Sequence, residues 1–204
     1  MAIVATQFTD LLTELQTTAP AATVHDLAAI LLELMIAPPD TVDISNVNFF
    51  NNPTQAYGVE SFSITGTPIA LTGGLFFSSG DLPDDVNNEA GHSTGFGGLG
   101  DADLSAVATA AFSGAGVTVD AVGLEFTITV NDPAITGISF DLVFGSEEFP
   151  EYSDSDYVDV AAVFVNGVNA ALFDNDPLTP LSVIDRNLVN NNFIDNTGSL
   201  FGTE

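Results

Sequence analysis

The stretch Phe144-Gly145-Ser146-Glu147-Glu148-Phe149-Pro150-Glu151-Tyr152-Ser153-Asp154-Ser155-Asp156-Tyr157-Val158-Asp159 holds six carboxylates and no cation, and it lies between two apolar segments. Like charges this close repel by roughly 1 kcal/mol per pair at about 4 Å in water, and by more where solvent is excluded. A folded chain tolerates such a cluster if the groups splay into solvent, take up protons or share a cation. Carboxylates, serine hydroxyls and backbone carbonyls are the oxygen ligands of Ca²⁺, which takes about six to eight of them at about 2.3–2.6 Å. The stretch therefore points to a calcium-clamped loop between two core strands. One strand arrives from Ile135 and the other leaves at Val158.

The balance of charge across the chain supports a cationic partner. Lys and Arg together number 1, against 28 Asp and Glu, for a formal net charge of −27. Arg186 is the lone cation, so ion pairs cannot balance the acids internally. No basic patch can form, which disfavours nucleic acid and anionic membrane surfaces as partners. A solvated, salt-adapted surface would also account for the charge, but the acids cluster rather than spread. Hydrophobic residues make up 46% of the 204 residues, enough for a packed core. Cysteine is absent, so an extracellular form would need a stabiliser other than disulfides, and calcium would serve. The opening Met1-Ala2-Ile3-Val4-Ala5 lacks the basic region and long apolar run of a signal peptide. This predicts a cytosolic chain, one whose signal has been removed, or one exported by another route. No run approaches the 18 or so apolar residues of a membrane span.

Helical spacing marks the first 40 residues. Phe8, Leu11, Leu12 and Leu15 repeat at helical intervals, and Thr23-Val24-His25-Asp26 places an acid three residues after an N-cap threonine. Leu27, Ile30, Leu31 and Leu34 then form a stripe that Pro38-Pro39 ends. His25 reads as a surface or capping residue rather than a ligand. From Thr41 onward strand patterns take over: 42–50, 58–64, 69–78, 121–130, 135–144 and 158–165. The last of these is apolar on both faces, as in a fully buried strand. Asn166-Gly167 predicts a type I′ hairpin turn into Val168 to Phe173. A short strand is expected at Leu181 to Ile184, followed by loop.

Two further acidic groups are candidate cation sites: Asp81, with Asp84 and Asp85 beyond it, and the pair Asp101 and Asp103. The second pair shares a face in an extended segment and chelates jointly in a loop. The glycine-rich run Gly91 to Gly100 has no lysine, which argues against a phosphate cradle. It reads as a long loop that needs φ > 0 positions. His92 has no Cys partners for a zinc site. Glu147, Glu148, Glu151 and Asp154 also invite a glycoside hydrolase reading, in which two carboxyls face each other across a sugar. The absence of Trp and the scarcity of Tyr weaken it.

The order of Ser78-Ser79-Gly80-Asp81, Gly100-Asp101-Ala102-Asp103-Leu104, Leu124-Glu125-Phe126 and Phe144-Gly145-Ser146-Glu147-Glu148-Phe149-Pro150-Glu151-Tyr152 resembles that of the choice-of-anchor L domain family. The last block is specific and the others are supportive, and the resemblance runs from about Val42 to Glu204. It implies a bacterial or archaeal surface or secreted module. The family pattern continues into further strands after the part matched here, so the expectation is either a piece of a larger product or, if the mature protein lacks those strands, a domain completed by a neighbour through β-strand addition.

Together these features predict a mainly β chain: an antiparallel β-sandwich or jelly-roll-like domain over 41–204, preceded by one or two α-helices over 1–40. The expected function is that of a non-enzymatic, extracellular or cell-surface, calcium-binding structural or adhesive module, with self-association, other surface proteins or glycans as partners. A filament or matrix subunit is one form of it. The expected Ca²⁺ ligands are Asp81, Asp101, Asp103, Glu147, Glu148, Glu151, Asp154, Asp156 and Asp159. A calcium-dependent carbohydrate-binding module and a glycoside hydrolase are the alternatives.

Overall fold

A computed structural model of the chain describes residues 2–36, 41–63, 70–80, 95–146, 148–150, 152–153 and 155–193. The chain divides into two compact units, Met1–Asp81 with Val122–Asp141, and Leu82–Ala121 with Leu142–Glu204.

In the first unit, strand β1 (Ala2–Gln7) runs directly into helix α1 (Phe8–Thr18), and α2 (Val24–Met35) follows. The capping box expected at Thr23 is present. Asp26 donates its N–H to Thr23 Oγ1 at 3.3 Å, and Thr23 donates its own to Asp26 Oδ2 at 2.8 Å. These bonds satisfy two of the donors a helix start leaves without intrahelical partners. Strand β2 (Val42–Phe50) comes next, then β3 (Ala56–Ser63), β4 (Ala70–Leu71), β5 (Gly74–Phe77) and β6 (Gly123–Val130). β3 is central to a four-stranded antiparallel sheet with β1 on one side and β4 and β5 on the other. β4 and β5 keep one register against β3, as a single strand interrupted at Gly73, where φ is 83°. The expected strand over 69–78 is thus present in two pieces. β2 and β6 pair separately, with a bulge between Ser45 and Asn48.

The core of this unit lies where α1 and α2 meet the strands. Phe8, Leu27, Ala28, Phe49 and Ala56 are buried together, and the Phe8 and Phe49 rings stand 5.6 Å apart. Burying each such phenylalanine contributes about 2–3 kcal/mol. Of the helical stripes read from the sequence, Leu11, Leu12, Leu15 and Leu31 pack against the same cluster, whereas Ile30 and Leu34 are 41% and 77% exposed.

The second unit holds α3 (Ala102–Ala111), the two-residue strands β7 (Val160–Ala161), β8 (Phe164–Val165), β9 (Val168–Asn169) and β10 (Leu181–Ser182), and the short helix α4 (Asp185–Val189). β7 pairs antiparallel with β10, and β8 with β9. The predicted hairpin turn is there, with Asn166 at φ 50° and Gly167 at φ 80°, as a type I′ turn requires. Asn187 is fully buried and organises this unit. Its amide donates to the carbonyls of Pro180 and Ser182, both at 2.8 Å, and its Oδ1 accepts from Asn192 Nδ2 at 3.0 Å.

Three expectations need correction. The strand predicted over 158–165 is split into β7 and β8, which pair with different partners, β10 and β9, and Asn169 Oδ1 accepts the Val163 N–H at 3.3 Å between the two pieces. Its far end is not buried on both faces, as Val165 is 57% exposed. The segment 135–144 takes part in no ladder among the described residues. Finally, Asp101 opens a helix, α3, rather than a loop.

Candidate functional site

The acidic stretch is fixed at both ends by uncharged groups. Near its start, Phe149 is buried with its ring 5.0 Å from that of Phe193, which also meets Phe144 and Phe173 at 5.9 Å. The Tyr152 N–H donates to the Glu148 carbonyl at 2.8 Å and closes a turn. At the far end, the Asp159 carbonyl accepts the Val183 N–H at 3.1 Å and the Ser182 hydroxyl at 2.7 Å. Asp159 is thereby tied to β10 just before β7 begins.

Ser146, itself buried, lies between the two carboxyls this framework brings together. Its Oγ is 2.7 Å from Asp159 Oδ2 and 3.0 Å from Glu148 Oε2, and it accepts the Glu148 N–H at 3.1 Å. A serine has one hydroxyl proton. Both carboxyl oxygens lie within reach of that one proton. The Glu148 carboxyl is pushed up to about 8, against the opposing pull of its hydrogen bond with Ser146. Burial is the largest cause, followed by its hydrogen bond with Asp159 and repulsion from that charge. Near neutral pH the pair holds one proton where a cation would otherwise neutralise it.

The other predicted ligands are distributed as follows. Asp101 caps α3, its Oδ1 accepting the N–H groups of Asp103 and Leu104, both at 2.9 Å. Asp103 lies in the first helical turn and Asp156 on the surface. None of these three joins the Glu148–Asp159 pair, and no three His, Asp or Glu gather around one point among the described residues. Asp81, Glu147, Glu151 and Asp154 lie outside the described residues, as do Asp84, Asp85 and His92. Ser146 was not singled out from the sequence. Its position two residues before Glu148, inside the acidic stretch, was the available signal. The two carboxylates and one hydroxyl present hard oxygen donors of the kind that suit Ca²⁺ or Mg²⁺, and they are fewer than either ion's full shell.

His25, expected as a surface or capping group, accepts the Phe49 N–H at Nδ1 in the first unit, far from any acidic cluster in sequence. Among the described residues no helix is long and apolar enough to cross a membrane.

The chain matches the model of the choice-of-anchor L domain over residues 17–199. The match begins inside α1 and takes in α2, which the motif-based resemblance left outside. No curated protein and no solved structure matches the chain. The name of the matched domain fits a surface-associated module. With nearly the whole sequence covered, the chain belongs to the choice-of-anchor L domain family.

Proposed function

We propose that this chain is a non-catalytic module of the cell surface or extracellular space, with a structural or adhesive role, whose acidic loop is clamped by Ca²⁺. The observation that carries the reading is Ser146 Oγ set between Glu148 Oε2 and Asp159 Oδ2, at 3.0 and 2.7 Å. Two carboxyls this close share either a proton or a cation, and an acidic chain in a calcium-rich medium has the cation at hand. Glu147, Glu151 and Asp154 of the same stretch are the nearest sequence sources for the remaining ligands. The β-sandwich is the architecture proposed for the calcium-bound form.

A calcium-dependent carbohydrate-binding role is a second reading. Tyr152 and Tyr157 pack edge to face at 5.9 Å beside the loop, with Tyr157 69% exposed, and an exposed ring offers a face for a sugar. A glycosidase using Glu148 with Asp159 is disfavoured. The pair is joined by a hydrogen bond, whereas sugar cleavage needs carboxyls about 5–9.5 Å apart.

Thermal unfolding in EDTA, then in millimolar Ca²⁺ with Mg²⁺ as control, tests the proposal. At 100-fold excess over Kd, binding raises Tm by about 5–10 °C for a domain of this size. Glu148→Gln combined with Asp159→Asn should remove that gain. If the double variant gains as much as wild type, the site is misassigned.

A further inference from the structure

All of residues 136–143 are exposed, and from Ile138 to Leu142 apolar and polar side chains alternate as in a strand. Ile138, Phe140 and Leu142 expose 55%, 61% and 47% of their surface. Among the described residues, this segment belongs to no helix, turn or ladder, and its N–H groups donate to no described backbone carbonyl. Exposed strand-patterned backbone of this kind is a template for another strand.

We infer that this segment pairs antiparallel with the same segment of a second copy, about a two-fold axis at Phe140. The pattern of the segment is self-complementary. Centred on Phe140, Ile138 faces the partner's Leu142 and Phe140 faces the partner's Phe140, so the apolar side chains of both copies share one face. Charge favours the same register. Asp141 is the one ionisable residue between Ile135 and Ser146, and it faces the partner's Ser139. Moving the centre to Asp141 would set two carboxylates opposite each other, which is unfavourable. Moving it to Ser139 would set Leu142 opposite the partner's Thr136 and lose an apolar pair. The segment is also a sparsely charged part of a chain of net charge −27, so two copies approach there with little local repulsion. A two-fold pairing of identical strands closes on itself. It requires no basic partner, which this chain cannot supply, and it does not depend on the calcium reading.

The pairing is tested on the full chain by sedimentation equilibrium and cross-linking. The wild type should dimerise more tightly at 0.5 M NaCl than at 20 mM, because salt screens the remaining repulsion between acidic surfaces. Since the chain has no cysteine, Phe140→Cys should give a disulfide-linked dimer under a mild oxidant. Val143→Cys should not, because its two copies would stand about 20 Å apart along the paired strands. Ser139→Asp creates two like-charge pairs and should weaken the dimer by about two- to thirtyfold. Ser139→Lys creates two opposite-charge pairs and should tighten it by a similar factor. Ser139 is exposed and outside any ladder, so this pair of variants stands even if Phe140→Cys folds poorly. A monomer at all salt and protein concentrations overturns the inference. So do equal cross-linking of the two cysteine variants, and a shift of the same sign from both Ser139 variants.

Discussion

Phe49 donates its backbone N–H to His25 Nδ1 at 2.9 Å, and this bond ties the first turn of α2 to β2. Phe49 is buried, so water reaches the group poorly. His25→Ala leaves that N–H without its acceptor and should cost about 1–3 kcal/mol. Urea unfolding followed by circular dichroism measures it. An unchanged midpoint would mean that the ring does not hold the helix to the strand.

Gly100 has no room for a methyl group. A Cβ built there would stand 1.7 Å from the Thr118 carbonyl oxygen. Gly100→Ala must therefore push α3's leading loop away from Thr118, which also donates its hydroxyl to the Asp101 carbonyl at 2.9 Å. A loss of about 3 kcal/mol is expected. Gly116 has nothing within 4 Å of such a Cβ, and Gly116→Ala should stay within about 0.5 kcal/mol of wild type. Comparing the two midpoints decides whether close approach, rather than glycine content, is what this region needs.

Asn187 donates to two buried carbonyls, those of Pro180 and Ser182, the second of which also accepts the Ile184 N–H at 3.0 Å. Asn187→Leu keeps the volume and removes both donors, at a cost of about 2–4 kcal/mol. Asn187→Asp should do no better, since an ionised carboxylate only accepts hydrogen bonds. Equal stability of wild type and Asn187→Leu would show that the carbonyls find other donors.

The Glu148 carboxyl sits at about 8 in the folded chain, against 4.5 for the ordinary group. Between these values the folded state keeps a proton that the unfolded state has released. Its contribution to stability is therefore whole below about pH 4.5 and is lost as pH rises towards 8. In EDTA the Tm of the wild type should fall across that window more steeply than the Tm of Glu148→Gln. Parallel curves for the two proteins would remove Glu148 as the titrating group.

Local signals carried much of the first unit. The stripe from Phe8 to Leu15 and the Thr23–Asp26 box are determined by neighbours within a turn or two, and both helices formed where those residues placed them. The Asn166-Gly167 turn was legible for the same reason: two residues with φ > 0 leave little else to form. β1 was not anticipated, because Ala2 to Gln7 becomes a strand only through its pairing with β3. α3 was hidden by an Asp-x-Asp pattern that suits a helix cap as well as a chelating loop. At the candidate site, the clustering of Glu148 and Asp159 was legible as unbalanced charge. That these two meet, with Ser146 between them, depends on the attachment of Asp159 to Ser182 and Val183. Contacts made across more than twenty residues of chain leave no periodic trace.

In the second unit Asn187, Ser182, Ser105 and Thr118 bond as neutral groups, and the carboxylates of Asp101 and Asp159 accept from uncharged N–H and O–H donors. Bonds of this kind leave little attraction between opposite charges for salt to screen, while the many carboxylates leave much repulsion for salt to relieve. Brine should therefore act on this molecule as a consolidant, so that the medium itself completes the balance that the sequence leaves open.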